Sequence, residues 1–355
     1  MKKVIEKLQE KLNIGETAII TNPKNRFYFT RFPSSAGILI VSRKQALFLV
    51  DFRYFEKAKK EIKGITVCLL KNTFAQIKET LERVETKRVL LENESLTFSE
   101  FNRYKKELKG YEIEEENILS KEIRDLRSIK NAEEVSFIKE AQRLTDETFE
   151  HILSFITPDM SEKEVALEME FFMRKMGSEG VSFDFIVVSG KNSSLPHGKP
   201  TDKKIQNGDF ITMDFGAVVN GYRSDMTRTI AVGSANDKQR EVYQTVLKAQ
   251  TEALKAIKPD VKCCDIDKIA RDIINNAGFE NCFGHGLGHS FGLDIHESPA
   301  CNTRDETLLK KGMLMTVEPG IYLENEFGVR IEDMVLVTDK GCENLTKSPK
   351  ELIII

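Results

Sequence analysis

Apolar and polar positions follow two different styles along the chain. Early on they fall into short runs. Gly37-Ile-Leu-Ile-Val41 and Ala46-Leu-Phe-Leu-Val50 read as strands, with polar Ser42 to Gln45 as the turn between them. Tyr54 to Ile62 has helical spacing, and Arg88-Val-Leu-Leu91 is a further strand. This alternation predicts an α/β layer over residues 1–122. It carries one acidic strand end, Asp51, and no histidine, so no catalytic constellation is visible in it. Residues 121–131, KEIRDLRSIKN, are densely charged and read as a linker. A second domain then spans 123–355. Asn131 with Glu134 three residues on has the form of a capping box. Behind it Val135, Ile138, Leu144, Phe149, Ile152 and Ile156 keep helical spacing up to Pro158. Ser161 with Glu164 opens another helix, which ends at Gly177.

The second part repeats itself. Gly208-x-x-x-Thr212-x-Asp214-x-Gly216 matches Gly312-x-x-x-Thr316-x-Glu318-x-Gly320 at an offset of 104. The same offset carries the helix start at Ser161 onto Asp265, predicting a second helix to about Ala277. Each half thus reads as helix, histidine-bearing loop and strand hairpin.

The hairpins bring acids together. Asn220-Gly221 is a strong type I′ turn signal. A two-residue loop there pairs residues whose numbers sum to 441, so Asp225 faces Gly216 with Asp214 diagonal to it on the same face. A loop centred on Asn325 in Glu324 to Gly328 places Glu318 opposite Glu332. Like charges facing each other on a sheet are unfavourable, and more so where the flanks, Ile211-Thr-Met213 and Met315-Thr-Val317, are apolar. Arg330 and Arg223 can neutralise one acid each, which leaves a need for cations.

Composition narrows the chemistry. The 355 residues carry 53 Lys+Arg against 56 Asp+Glu, a net charge of −3, which argues against nucleic acid or an anionic membrane as partner. No apolar stretch is long enough for a membrane span, and the first residues lack the apolar run of a signal peptide, so a cytoplasmic location is expected. The six cysteines form no C-x-x-C pair and read as reduced, mostly buried thiols. Of five histidines, His151 sits on the long helix, while His197, His285, His289 and His296 fall in loops before the two hairpins. His285-Gly-Leu-Gly-His289 lacks the glutamate of H-E-x-x-H, and its glycines argue against a helix. Neither a G-x-G-x-x-G nor a G-K-[ST] phosphate loop is present. One histidine and four carboxylates suit two divalent cations such as Mn²⁺, Co²⁺, Fe²⁺ or Zn²⁺, which together can activate a water for hydrolysis.

These segments resemble a known family. MDFGAVVNGYRSDMTRT, GHGLGHSFGLDIHESP, MTVEPGIY, VRIED and LPHG are similar to the proline-peptide branch of the pita-bread metallopeptidases, the Xaa-Pro aminopeptidases and Xaa-Pro dipeptidases (prolidases). NRFYFTRF and LVDFRYFEKA resemble that family's N-terminal creatinase-type α/β domain. The resemblance implies an α+β chain with a duplicated helix and hairpin catalytic domain. It implies that Asp214, Asp225, His289, Glu318 and Glu332 hold two metal ions, Mn²⁺ first among them, with Asp225 and Glu332 bridging. It further implies catalytic or substrate-contacting roles for His197, His285 and His296, with Glu318 as the proton acceptor. Arg330 and Arg304 are counted among the substrate contacts, Arg304 because a dipeptidase must bind a carboxylate just beyond the proline. The implied activity is removal of the residue before proline from a peptide by a homodimeric aminopeptidase. The alternatives are a strict Xaa-Pro dipeptidase and a metal-free peptide-binding module on the same fold.

Overall fold

Residues 2–355 are described by the computed structural model, and the chain divides into two compact units, Met1–Arg127 and Ser128–Ile355. The division falls five residues later than the sequence suggests, because the charged stretch is no linker. Ile118–Ser128 is a helix. Its Leu119 and Ile123 are fully buried and four residues apart, so one face docks while the charges occupy the other.

The first unit is built on a six-stranded mixed sheet, in the order Thr66–Leu69, Ala46–Val50, Ile38–Ser42, Glu16–Ile20, Arg88–Leu91, Glu112–Ile113. Every residue of Ile38–Ser42 and Ala46–Val50 is buried, as expected of unbroken apolar runs in interior strands. Asp51 caps the helix Phe52–Glu61 by accepting from the Arg53 amide at 2.9 Å, so this acid has a local structural role.

The second unit is a duplication. The long helices Ala132–Phe155 and Asp237–Ala256 are each followed by a shorter one, Glu162–Lys175 and Cys263–Asn276. Asn131 and Glu134 form the expected capping box, as do Ser161 and Glu164. The second short helix starts at Cys263, not at Asp265. The helices repeat at an offset of 101, whereas the strands repeat at 104. The backbone shows where the three extra residues lie. Asp159 and Asp260 both have positive φ, and their amides donate to Ile205 and Leu309, respectively. The insertion therefore sits between the helix and that bridge, in the loop that carries His285 and His289. Each half has its own apolar core, one centred on Leu144, Met169, Met213 and Phe215, the other on Val246, Ile266, Met315 and Val335.

Both hairpins keep the register that their turns impose. Asn220 and Gly221 have positive φ, as a type I′ turn requires. Tyr222 pairs with Val219, and beyond a break Met226 pairs with Phe215 and Thr227 with Asp214. In the second half Leu323 pairs with Phe327, Gly320 with Arg330, and Val317 with Asp333. The two ladder breaks fall at Asp225 and at Glu318 with Glu332, so the acids project where neighbouring strands splay. No helix among the described residues is long and apolar enough to cross a membrane. The six cysteines are free, Cys263 and Cys301 being buried and the others half-buried.

Candidate metal centre

The four acids meet at the bottom of a cavity of about 540 Å³ that is also lined by His197, His285, His289, His296, Asn302 and Arg330. Asp225, His289 and Glu332 each offer a ligand atom within 4.8 Å of the others. His289 Nε2 lies 3.5 Å from both Asp225 Oδ2 and Glu318 Oε1. The close approach of chains is possible because Gly216 and Gly288 lack side chains. A Cβ on Gly216 would stand 1.9 Å from the Ser224 carbonyl oxygen, and one on Gly288 2.1 Å from that of Thr316.

The electrostatics are those of an unbalanced anionic pocket. Burial, then the neighbouring Glu332, Asp214 and Glu318, raise the Asp225 carboxyl well above its ordinary value. Burial, then Glu318 and Asp214, do the same to Glu332. Burial is also the main cause that pushes Glu318 up to about 8. Among the described residues Arg330 is the guanidinium in contact, donating to Asp214 Oδ2 at 2.7 Å. Arg223 is near Asp294 but contacts none of the four site acids, contrary to the sequence reading. Its guanidinium turns to the carbonyls of Leu293 and Ser182.

Two observations fit a divalent cation. Asp214 Oδ1 and Glu332 Oε1 are buried without a hydrogen-bond partner, which buried oxygens rarely tolerate. The His289 tautomer is also fixed. Its Nδ1 donates to the Ser290 carbonyl at 3.0 Å, so Nε2 carries the lone pair and faces carboxylate oxygens. Acceptors converge on a point that suits a cation. Burial, then His296, lowers the His289 pKa to about 4, so the ring is neutral and able to ligate.

Threonines that the sequence reading passed over hold the acids. Thr227 donates to Glu332 Oε2 at 2.7 Å, and Thr316 to Glu318 Oε1 at 3.2 Å. Each sits two residues from an acid on its strand, a spacing that shares one face and was readable. Tyr322 had no such signal. It lies between His285 Nε2, at 2.9 Å, and Arg330 Nη1, at 2.8 Å.

This relay engages two of the expected site residues. The His285 Nδ1 donates to the Gly286 carbonyl at 2.8 Å, so Nε2 accepts from Tyr322 and both ring nitrogens are engaged. Burial lowers its pKa to about 4. His285, which lines the cavity, thus holds Tyr322. Arg330 donates to Thr227, Pro196, Tyr322 and Asp214 while also lining the cavity. His197 and His296 are exposed on the cavity, and the His296 ring stands 4.4 Å from that of His289. Arg304 is exposed on the loop that follows the lining residue Asn302, whose side chain accepts from its amide.

Comparison with known proteins agrees with this architecture. The profile of Metallopeptidase family M24 matches residues 136–339, and that of the Creatinase/Prolidase N-terminal domain matches residues 1–129. An Xaa-Pro dipeptidase of Pyrococcus furiosus is 40% identical, over 99% of this chain and 100% of that protein. Among solved structures, an Xaa-Pro dipeptidase from Bacillus anthracis superposes with a TM-score of 0.95 at 42% identity, over 99% of both chains. An X-Pro aminopeptidase from Thermotoga maritima gives 0.92 at 36%, over 98% of this chain and 100% of that one. With four acids and a lone-pair-bearing histidine converging beneath two paired hairpins, the chain belongs to metallopeptidase family M24, in the branch that carries a creatinase/prolidase N-terminal domain.

Proposed function

We propose that the protein is a metal-dependent Xaa-Pro dipeptidase. The observation that carries the hydrolytic reading is the convergence of Asp225, His289 and Glu332 with the orphaned oxygens of Asp214 and Glu332. Asp214, Asp225, His289, Glu318 and Glu332 would hold two divalent cations, with Mn²⁺ first and Co²⁺, Zn²⁺ or Fe²⁺ as the other candidates. Such a pair supplies a water acidic enough to attack a peptide carbonyl near neutral pH. Glu318 takes up the proton of the attacking water and passes it to the leaving nitrogen. His296 and His197, exposed on the cavity, hold the substrate and donate to the oxygen on which charge develops. Thr227, Thr316 and Arg330 keep the acids aimed while this happens. The resemblance supports a homodimer as the working assembly.

The sequence alone favours the aminopeptidase. Two findings turn the proposal to the dipeptidase. The relatives with near-complete coverage include Xaa-Pro dipeptidases of two Pyrococcus species. The acids flanking Arg304 are also engaged elsewhere. Asp305 accepts from the amides of Ala300 and Thr307, and Glu306 pairs with Lys262 at 2.9 Å. Among the described residues Arg304 has no ion-pair partner, which leaves its fork for a substrate carboxylate. The aminopeptidase remains the second reading, supported by the Thermotoga maritima structure.

The test compares Xaa-Pro with Xaa-Pro-Xaa in the wild type and in Arg304→Ala. A dipeptidase cleaves the first substrate far better, and Arg304→Ala raises KM for it while leaving the tripeptide alone. Preferred tripeptide cleavage by the wild type would return the aminopeptidase to the front. Elemental analysis of Asp225→Asn and Glu332→Gln checks the ligand set, since each variant should lose metal.

A further inference from the structure

A buried lysine outside the ligand set grips the strand behind the two site histidines. Lys130 lies just before the Asn131 cap, with its side chain 1% exposed, and its amide donates to the Gly312 carbonyl. Its Nζ lies 3.2 Å from Glu297 Oε2 and 3.3 Å from Ser290 Oγ. Ser290 directly follows His289, and Glu297 directly follows His296.

The strand geometry gives this contact its meaning. Gly288–Ser290 pairs with Glu297–Cys301, and the register shifts between His289 and Ser290, so that Ser290 pairs with Glu297. Neighbours on a strand point to opposite faces. The ammonium thus holds the back of a two-strand ribbon whose front presents His289 to the acids. The other oxygen of Glu297 closes the loop in between, accepting from the amides of Leu293 and Asp294 at 3.0 and 3.1 Å. Gly292 lies against this pair, where a Cβ would meet Glu297 Oε1 at 3.0 Å and Lys130 Cε at 3.2 Å. From the other side Arg223 holds the same loop through the carbonyls of Gly292 and Leu293.

We infer that Lys130 is a positioning residue that sets the aim of His289 and His296 by clasping Ser290 and Glu297 together. Without the ammonium the ribbon loses the link between its two strands at the register shift, where regular pairing is weakest. Outer partners of ligating histidines typically contribute about 10- to 100-fold in metal affinity or activity. The inference rests on the metal-site reading, and its test separates the two.

Lys130→Met, Glu297→Gln and the double variant are compared with the wild type. The measurements are melting temperature, Mn²⁺ affinity by calorimetry, kcat and KM on Xaa-Pro, and amide exchange at Leu293 and Asp294. Lys130→Met removes the ammonium that faces the Glu297 carboxylate and should melt lower, while the double variant also removes the carboxylate's charge and should recover the melting temperature. Neither can clasp Ser290, so both should keep a weakened Mn²⁺ affinity and a kcat lowered about 10- to 100-fold. Both should also exchange faster at Leu293 and Asp294. Should Lys130→Met not fold, the double variant carries the test. Wild-type kcat and Mn²⁺ affinity in the double variant would overturn the inference, reducing Lys130 to a counter-charge. Exchange read in the absence of metal tests the clasp alone, and unchanged exchange in the variants also overturns it. A wild-type chain that binds no Mn²⁺ overturns the metal-site reading itself.

Discussion

Gly216→Ala is the smallest change that should dismantle the metal centre without touching a ligand. Gly216 follows Asp214 by two residues and lies at the ladder break, just beyond the Met226–Phe215 pair, where Asp225 projects. A Cβ there would stand 1.9 Å from the Ser224 carbonyl oxygen and 3.0 Å from Ser182 Cβ. Since real contacts do not fall below 3.0 Å, the strands must part by about 1.1 Å, and both close atoms belong to backbone or to short side chains that cannot swing away. Overpacking of this kind costs roughly 1–3 kcal/mol, which lowers the melting temperature of a unit this size by roughly 2–12 °C. The larger effect is local. Ser224 is bonded to Asp225, so the shift carries that carboxylate away from Asp214 and Glu332. Sites of this kind tolerate about 0.5 Å, and a misplacement near 1 Å costs about 100-fold in rate. Gly278→Ala is the control. Gly278 has φ +87° and no atom within 4 Å of its would-be Cβ, so that variant pays roughly 1–2 kcal/mol of left-handed strain and nothing at the site. Calorimetric Mn²⁺ titration, thermal melting and turnover of an Xaa-Pro dipeptide should separate the two. Unchanged Mn²⁺ affinity and kcat in Gly216→Ala would refute the claim that this close approach sets the spacing of the acids.

Two further outcomes follow from the same geometry. His285→Ala should keep its metal while His289→Ala loses it, because the ring nitrogens of His285 are engaged by Gly286 and Tyr322; equal metal loss in elemental analysis would place His285 among the ligands. Arg228→Met should lower the melting temperature by roughly 6–20 °C, since breaking a buried pair costs about 3–5 kcal/mol, and Arg228 holds Asp333 at 2.7 Å together with the carbonyls of Glu332, Ser348 and Pro349. Calorimetric melting that shows no loss would mean that Lys350, Gln250 and Asn344 suffice for Asp333.

The acids were legible because a turn fixes a register, and a register fixes every partner on the face. Asn220-Gly221 and the loop at Asn325 each set a constant sum along their ladders, so Asp225 and Glu332 could be placed from the turns alone. Helix caps were legible for the same local reason. What failed was any inference that reached across the insertion, such as the start of the helix at Cys263. Charge density also misled, since the helix Ile118–Ser128 needs only one apolar stripe to dock. The roles of His285, Arg223 and Lys130 depend on partners that no periodicity connects. Lys130 is 160 and 167 residues from its two contacts, a distance over which sequence pattern carries no geometry.

The duplication explains why the pocket is so strongly anionic. Matching the two ladders sets Asp214 against Glu318, Thr227 against Glu332, and Asp225 against Arg330. Three equivalent positions thus carry two acids, a hydroxyl and an acid, and an acid and a base. The two halves also touch across the pseudo-symmetry: Thr227 donates to its own equivalent, Glu332, and Arg330 pairs with Asp214, a residue at a different position of the other half. Were both copies to carry the first half's residues, four acids would face two hydroxyls with no guanidinium to steady them. The second half's Arg330 fixes the acid its partner copy supplies, and four carboxylates against one guanidinium leave three negative charges when all are ionised. Buried charge of that size must be met by counter-charge or by protonation. One divalent cation leaves the pocket anionic. Two leave it with a single positive charge, which suits the attacking oxygen and a substrate carbonyl, and this is the electrostatic reason for proposing a pair. A measured stoichiometry of one metal per chain at saturation would mean instead that one of these acids stays protonated in the working enzyme.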